Sequence, residues 1–227
     1  MKYLFDLDDT LYNCQQPFIK AMQKYFPDYC DHLDEKYAYY RYIGDVNFPH
    51  VLTKEMTPDE NGESRIRETC IKYNIPYTEQ MVLDFQQTYK YNQYHLELSS
   101  VFTEFFENNS LEFGILTNGE DKHQRRKIQA LGLEKYVESD YIVTSMSVGI
   151  SKPNPAIFDA YFEIIQDSKE NWIYIGDAYE NDIVCSHKAG LRNIYFDRHS
   201  KKEGTKADYT VYSEEELVEL IQNLEKE

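Results

Sequence analysis

Apolar and polar positions alternate along the chain in two distinct rhythms. Residues 1–5, Met-Lys-Tyr-Leu-Phe, form a short apolar run that reads as a buried strand, and three carboxylates follow within four positions: Asp6, Asp8 and Asp9. From about 13 to 98 the spacing is helical. Phe18, Met22 and Tyr25 follow Pro17 until Pro27 ends the run, and Leu33, Tyr37 and Tyr40 suggest a second helix. Ile66, Cys70 and Tyr73, then Val82, Phe85 and Tyr89, suggest two more on either side of Asn74-Ile75-Pro76. Recurrence at three and four residues places each set on one helix face.

Beyond about residue 99 the rhythm changes to strand and helix in turn. Strands are expected over 112–117, 140–144, 171–176 and 193–196. Helices are expected over about 122–131, 155–165 and 180–189, two of them closed by Gly132 and Gly190, and a last one after Ser213, with Glu216 three residues on. Such alternation predicts an α/β fold with a doubly wound, Rossmann-like parallel sheet. The expected organisation is a core from 1–12 and 99–227, interrupted by an all-helical insertion over 13–98.

The chain has 227 residues, enough for a substantial core. Its 24 Lys and Arg face 40 Asp and Glu, a formal charge of −16. That balance disfavours nucleic acid and anionic membrane as partners, because phosphate backbones and headgroups attract cations. A small anionic substrate remains compatible, since one metal ion and a lysine reverse the sign locally. Cys14, Cys30, Cys70 and Cys185 are scattered, which predicts reduced thiols rather than a zinc site or disulfide framework. With no signal-peptide pattern and no apolar stretch long enough to span a bilayer, a cytoplasmic protein is expected.

Polar residues cluster where the predicted strands end. Asp6, Asp8 and Asp9 follow the first, Thr117-Asn118-Gly119 the second, and Gly176-Asp177 a later one, with Asp182 five residues on. Ser151-Lys152-Pro153 precedes a predicted helix. Each piece alone suits a turn or a helix cap. In a parallel sheet, however, these tips share one edge, and carboxylates collect there only if something positive is bound. Oxygen ligands without Cys or His suit Mg²⁺. Thr117 and neighbouring N–H groups are suited to phosphate oxygens, with Lys152 as a second positive charge.

Four ordered motifs resemble those of the haloacid dehalogenase superfamily of hydrolases: DLDDT (6–10), LTNG (116–119), SKPNPAIF (151–158) and GDAYENDI (176–183). The helical insertion resembles that family's class I cap. The resemblance implies a Mg²⁺-dependent phosphatase acting on a small phosphorylated metabolite. It implies Asp6 as nucleophile, Asp8 as general acid and then base, and Thr117 and Lys152 as the phosphate-holding pair, with Asn118 beside them. It implies metal ligation by Asp6, by Asp8 through its backbone carbonyl, and by Asp177. Asp182 either supports the metal through water or orients Lys152. Tyr12 and Asn13, just past the first motif, are expected to touch substrate. Asp8 is expected to start protonated, its pKa raised by Asp6, Asp9 and the substrate phosphate.

An acid two residues after the nucleophile distinguishes the phosphatases of the family from its dehalogenases, since a halide leaves without a proton. The stretch from Thr117 to Phe158 resembles a branch containing nucleoside monophosphatases and broad-specificity phosphatases, so a nucleoside 5'-monophosphate is one expected substrate. The sequence departs from relatives at Ser99-Ser100-Val101 and Ser145-Met146-Ser147. Two rival readings are a phosphosugar mutase of the β-phosphoglucomutase type, whose members carry glycine where Asp9 stands, and a catalytically idle binding module.

Overall fold

A computed structural model describes residues 1–200 and 204–226. The chain divides into two compact units, one of Met1–Asn13 with Glu97–Glu227 and one of Cys14–Leu96.

The first unit is an α/β fold. Its strands are β1 (Lys2–Phe5), β2 (Phe113–Thr117), β3 (Ile142–Thr144), β4 (Trp172–Gly176), β5 (Arg192–Phe196) and β6 (Tyr209–Val211). They form one parallel sheet in the order β3-β2-β1-β4-β5-β6. β1, β2 and β4 are almost wholly buried, as expected for strands covered on both faces. Phe5 lies in register with Ile115 on one side and Ile175 on the other. The chain adds β2 and β3 on one side of β1 and then crosses to β4 on the other. The carboxyl end of β1 is therefore the switch point of the sheet, where such folds open a crevice.

β6 was not expected from the sequence. Three residues are too few for period-2 alternation to register, and β6 is defined by pairing with β5 rather than by its own pattern. The terminal helix over Glu214–Leu224 also differs in detail. Ser213 Oγ accepts from Glu216 N at 3.1 Å, but the Glu216 carboxylate takes the N–H of Tyr212. The cap is therefore displaced by one residue from a reciprocal capping box.

The second unit contains the α-helices α1 (Gln16–Tyr25), α2 (Leu33–Leu52), α3 (Pro58–Lys72) and α4 (Glu79–Asn92), with a short 3-10 turn over Pro27–Tyr29. Thr57 and Glu60 cap α3 reciprocally, and the Thr78 hydroxyl caps α4. Phe18, Met22, Tyr37, Tyr40, Ile66, Cys70, Val82, Phe85 and Tyr89 make its core. Tyr40 sits at 5.0 Å from the ring of Phe18 and 5.3 Å from that of Tyr89, with the Arg65 guanidinium 3.8 Å above it. Two of the clustered tyrosines, Tyr37 and Tyr40, are thus packing residues, and Tyr42 is exposed. All four cysteines are free thiols. No helix among the described residues is long and apolar enough to cross a membrane.

Candidate active site

The first carboxylates are placed by β1 running one residue past its end. Asp6 N donates to Ile175 O at 2.8 Å, which fixes Asp6 at the sheet edge with its side chain buried. The chain then turns sharply. Asp9 adopts a left-handed φ of 62°, a conformation Asp tolerates better than most residues. Arg198, just beyond β5, braces this turn. Its Nε donates to Asp9 O at 2.9 Å, and Nη2 reaches Thr10 O at 3.2 Å and the Glu214 carboxylate at 2.8 Å.

Lys152 is the hub of the buried side. Its ammonium lies 2.6 Å from Asp6 Oδ1, 2.6 Å from Asp182 Oδ1 and 2.8 Å from the Tyr174 hydroxyl. Tyr174 in turn donates to Asp182 Oδ1 at 2.8 Å, and Asp182 Oδ2 accepts from Ala178 N at 2.9 Å. Burial disfavours the lysine charge, but Asp182 and Asp6 outweigh it and hold the ammonium above the ordinary lysine range. Burial lifts the Asp6 carboxyl to about 7 against the pull of Lys152, with the charges of Asp182 and Asp8 pushing the same way. One lysine shared by two buried carboxylates leaves a deficit of positive charge at Asp6.

That deficit bears on a metal. Asp6, Asp177 and Asp182 each bring a carboxylate oxygen to within 4.8 Å of the others. An all-oxygen donor set with uncompensated negative charge fits a hard divalent cation. Asp182 both pairs with Lys152 and belongs to this cluster. The Asp8 side chain does not.

Asp8 lies instead among donors on helix α6 (Asp121–Ala130), counting α5 as Ser100–Glu107. Lys127 Nζ is 2.8 Å from Asp8 Oδ1, Gln124 Nε2 is 2.8 Å from Oδ2, and the Tyr12 hydroxyl donates to Oδ1. Burial opposes ionisation, but Lys127, Tyr12 and Gln124 overcome it and hold the carboxyl down to about 2. The expected upward shift is therefore reversed in this arrangement. A cation and two neutral donors at hydrogen-bond distance outweigh the cost of burial.

Thr117 ends β2, fully buried, and its Oγ1 accepts from Gln124 Nε2 at 2.7 Å. The Asn118 side chain pairs in both directions with the Lys152 backbone, at 2.9 and 3.0 Å, so it ties the β2 tip to the lysine loop. Gly119 N donates to Ser145 Oγ at 3.0 Å, which gives the unusual serine a packing role at this tip. Tyr12 meets Asp8, and half-buried Asn13 is the last residue of this stretch of the unit.

Gln124, Lys127, Tyr174 and Arg198 were not singled out from sequence. Gln124 and Lys127 sit in a charged run that reads as a solvated helix face, and Tyr174 in a strand that reads as plain core. Only three-dimensional register brings them to the carboxylates.

The family model described as haloacid dehalogenase-like hydrolase matches residues 3–196. The chain belongs to this family. Pyrimidine 5'-nucleotidase YjjG of Escherichia coli is 34% identical over 113 residues, 48% of this chain and 49% of that protein. A glyceraldehyde 3-phosphate phosphatase of Methanocaldococcus jannaschii is 28% identical over 120 residues, 52% of each. The matches thus span about half the length of these relatives. A HAD-hydrolase, YfnB of Bacillus subtilis, solved bound to magnesium, shares the fold with a TM-score of 0.65 over 97% of both chains at 24% identity. The switch-point carboxylates described above all fall within the matched hydrolase region.

Proposed function

We propose that this hydrolase is a Mg²⁺-dependent phosphatase of small phosphomonoesters, with nucleoside 5'-monophosphates as its substrate class. The observation that carries the reading is the pair of carboxylates Asp6 and Asp8, two residues apart yet in separate surroundings. One faces Lys152 and the carboxylate cluster, the other a bed of donors beside Thr117. A dehalogenase has no use for the second carboxylate. Kinship with a pyrimidine 5'-nucleotidase supports the substrate class.

In this reading the ionised Asp6 attacks phosphorus, forming an Asp6–O–P bond as the bond to the leaving oxygen breaks; Asp8 takes up a proton from solvent as the substrate phosphate brings negative charge beside it, and delivers that proton to the leaving oxygen. Asp8 then takes a proton from water as the water attacks phosphorus, which frees Asp6 and releases phosphate. Splitting hydrolysis into two displacements lowers each barrier. Thr117 and Lys152 hold phosphate oxygens, and phosphoryl transfer rests largely on such positioning. Asp6, Asp177 and Asp182, with the Asp8 backbone carbonyl, are the residues that would hold Mg²⁺, which supplies charge neutralisation at the phosphate.

The test is phosphate release by the purified protein from a panel of nucleotides, sugar phosphates and phosphoglycolate, with Mg²⁺ or EDTA. Release that EDTA abolishes and Asp6→Asn lacks supports the proposal. Release indifferent to both sinks it. Isomerisation of a hexose phosphate without net release replaces it with the mutase.

A further inference from the structure

Gln124 is an odd residue to bury. It stands one turn into α6, whose N-terminus is capped by the Glu120 carboxylate accepting from Lys122 N and His123 N. Its side chain is 1% exposed, and its Oε1 has no hydrogen-bond partner among the described residues. An unpaired buried carbonyl is destabilising, and an apolar side chain of the same length would avoid it. The neighbouring turn is shaped to admit it. Gly119 has a φ of 140°, and a Cβ there would approach Gln124 Cγ to 3.0 Å. Room has been cleared for an amide that the packing alone does not need.

Its nitrogen explains the arrangement. Nε2 lies 2.8 Å from Asp8 Oδ2, 2.7 Å from Thr117 Oγ1 and 2.9 Å from Asn118 O. These acceptors come from the loop after β1 and the tip of β2, two segments that no ladder bond joins beyond the strand ends. Lys127, three residues on along the same helix face, holds the other Asp8 oxygen at 2.8 Å. A rigid helix thus grips both oxygens of one carboxylate and the adjoining hydroxyl.

We propose that Gln124 is a positioning residue for proton delivery, its amide fixing the Asp8 carboxyl relative to Thr117 and so to the leaving-group side of the phosphate. This rests on the reading of Asp8 as general acid. The amide acts through Asp8. Catalysis by a positioned acid degrades steeply when the acid is misplaced by a fraction of its hydrogen-bond length.

Leaving-group dependence separates this role from a merely structural one. p-Nitrophenolate departs without a proton, whereas phenolate from phenyl phosphate gains from one. In Gln124→Met, kcat/KM for phenyl phosphate is expected to fall at least tenfold more than for p-nitrophenyl phosphate, the same direction as in Asp8→Asn. Gln124→Asn keeps the amide but withdraws it by one methylene, so it carries the same expectation should the methionine variant fail to fold. Equal losses on both esters, or no loss on either, overturn the positioning role while a selective Asp8→Asn effect leaves the acid reading standing. An Asp8→Asn variant that treats both esters alike overturns the acid reading and this inference with it.

Discussion

Asp6 and Asp8 lie two residues apart and meet opposite surroundings. Burial raises the first to about 7, and the cation and donors around the second hold it down to about 2. The direction can be tested at Lys127. Removing a neighbouring cation disfavours the ionised form, so Lys127→Met is expected to raise the Asp8 pKa above its value in the parent protein, measured by carboxyl-carbon NMR of the metal-free protein. A carboxyl depressed in the folded state contributes stability above its unfolded value of about 4, and that contribution fades as pH falls toward the folded value. The stability difference between parent and Lys127→Met is therefore expected to be full at neutral pH and to shrink in acid. At this scale the motif carboxylates, Thr117 and Lys152 were legible because charge at the tip of an apolar strand demands a reason. Their supporting donors were not. Gln124 and Lys127 look like any polar helix positions until the helix is docked against the β1 loop.

Elements, rather than single side chains, bring Asp182 to Lys152. β4 ends at Gly176, and the chain then makes a wide π-type turn over Tyr179–Val184 before α-helical hydrogen bonding begins at Cys185, where the sequence suggested one regular helix from 180. The Asp182 carboxylate folds back on the strand end. A Cβ at residue 176 would lie 2.5 Å from both Cβ and Cγ of Asp182, so glycine is required by close approach. Gly176→Ala is expected to displace Asp182 from Lys152, to lower the thermal midpoint and to reduce phosphate release at least tenfold, by calorimetry and steady-state assay. On the opposite edge, Asp167 accepts from the Trp172 indole at 2.9 Å and pairs with Lys2 at 2.9 Å, joining the starts of β4 and β1. Partial burial disfavours its charge, yet Lys2, Asn171 and Trp172 hold its carboxyl well below the usual range. Asp167→Asn is expected to destabilise the fold by about 1.5–3 kcal/mol at pH 7, the range for a hydrogen bond to a charged group, and by less as pH falls below about 4. Denaturant unfolding across that range checks it. Strand and helix order were legible from periodicity; the π turn was not, because a hydrophobic pattern reports a face and not a hydrogen-bond offset.

For the molecule as a whole, the acidic balance of 40 against 24 makes the carboxylate cluster harder to sustain without a cation. A ligand that binds only the folded form stabilises it by mass action. Mg²⁺ is therefore expected to raise the thermal midpoint of the parent protein and not that of Asp177→Asn, read by calorimetry with and without EDTA. The alternation of strands and helices after residue 99 made the parallel sheet legible, and the helical spacing before it the second unit. The meeting of Asp6, Asp177 and Asp182 followed from parallel strands ending at one edge. The identity of the phosphorylated molecule did not, since no strand-end motif encodes it. In the proposed mechanism Asp6 itself takes up the phosphoryl group. Acid-quenching a single turnover of a nucleoside 5'-monophosphate and mapping the labelled peptide by mass spectrometry tests this directly. A hydroxylamine-labile phosphate is expected on the peptide containing Asp6 and is expected to be absent from Asp6→Asn. Phosphate on another residue, or undiminished turnover by Asp6→Asn, would contradict it.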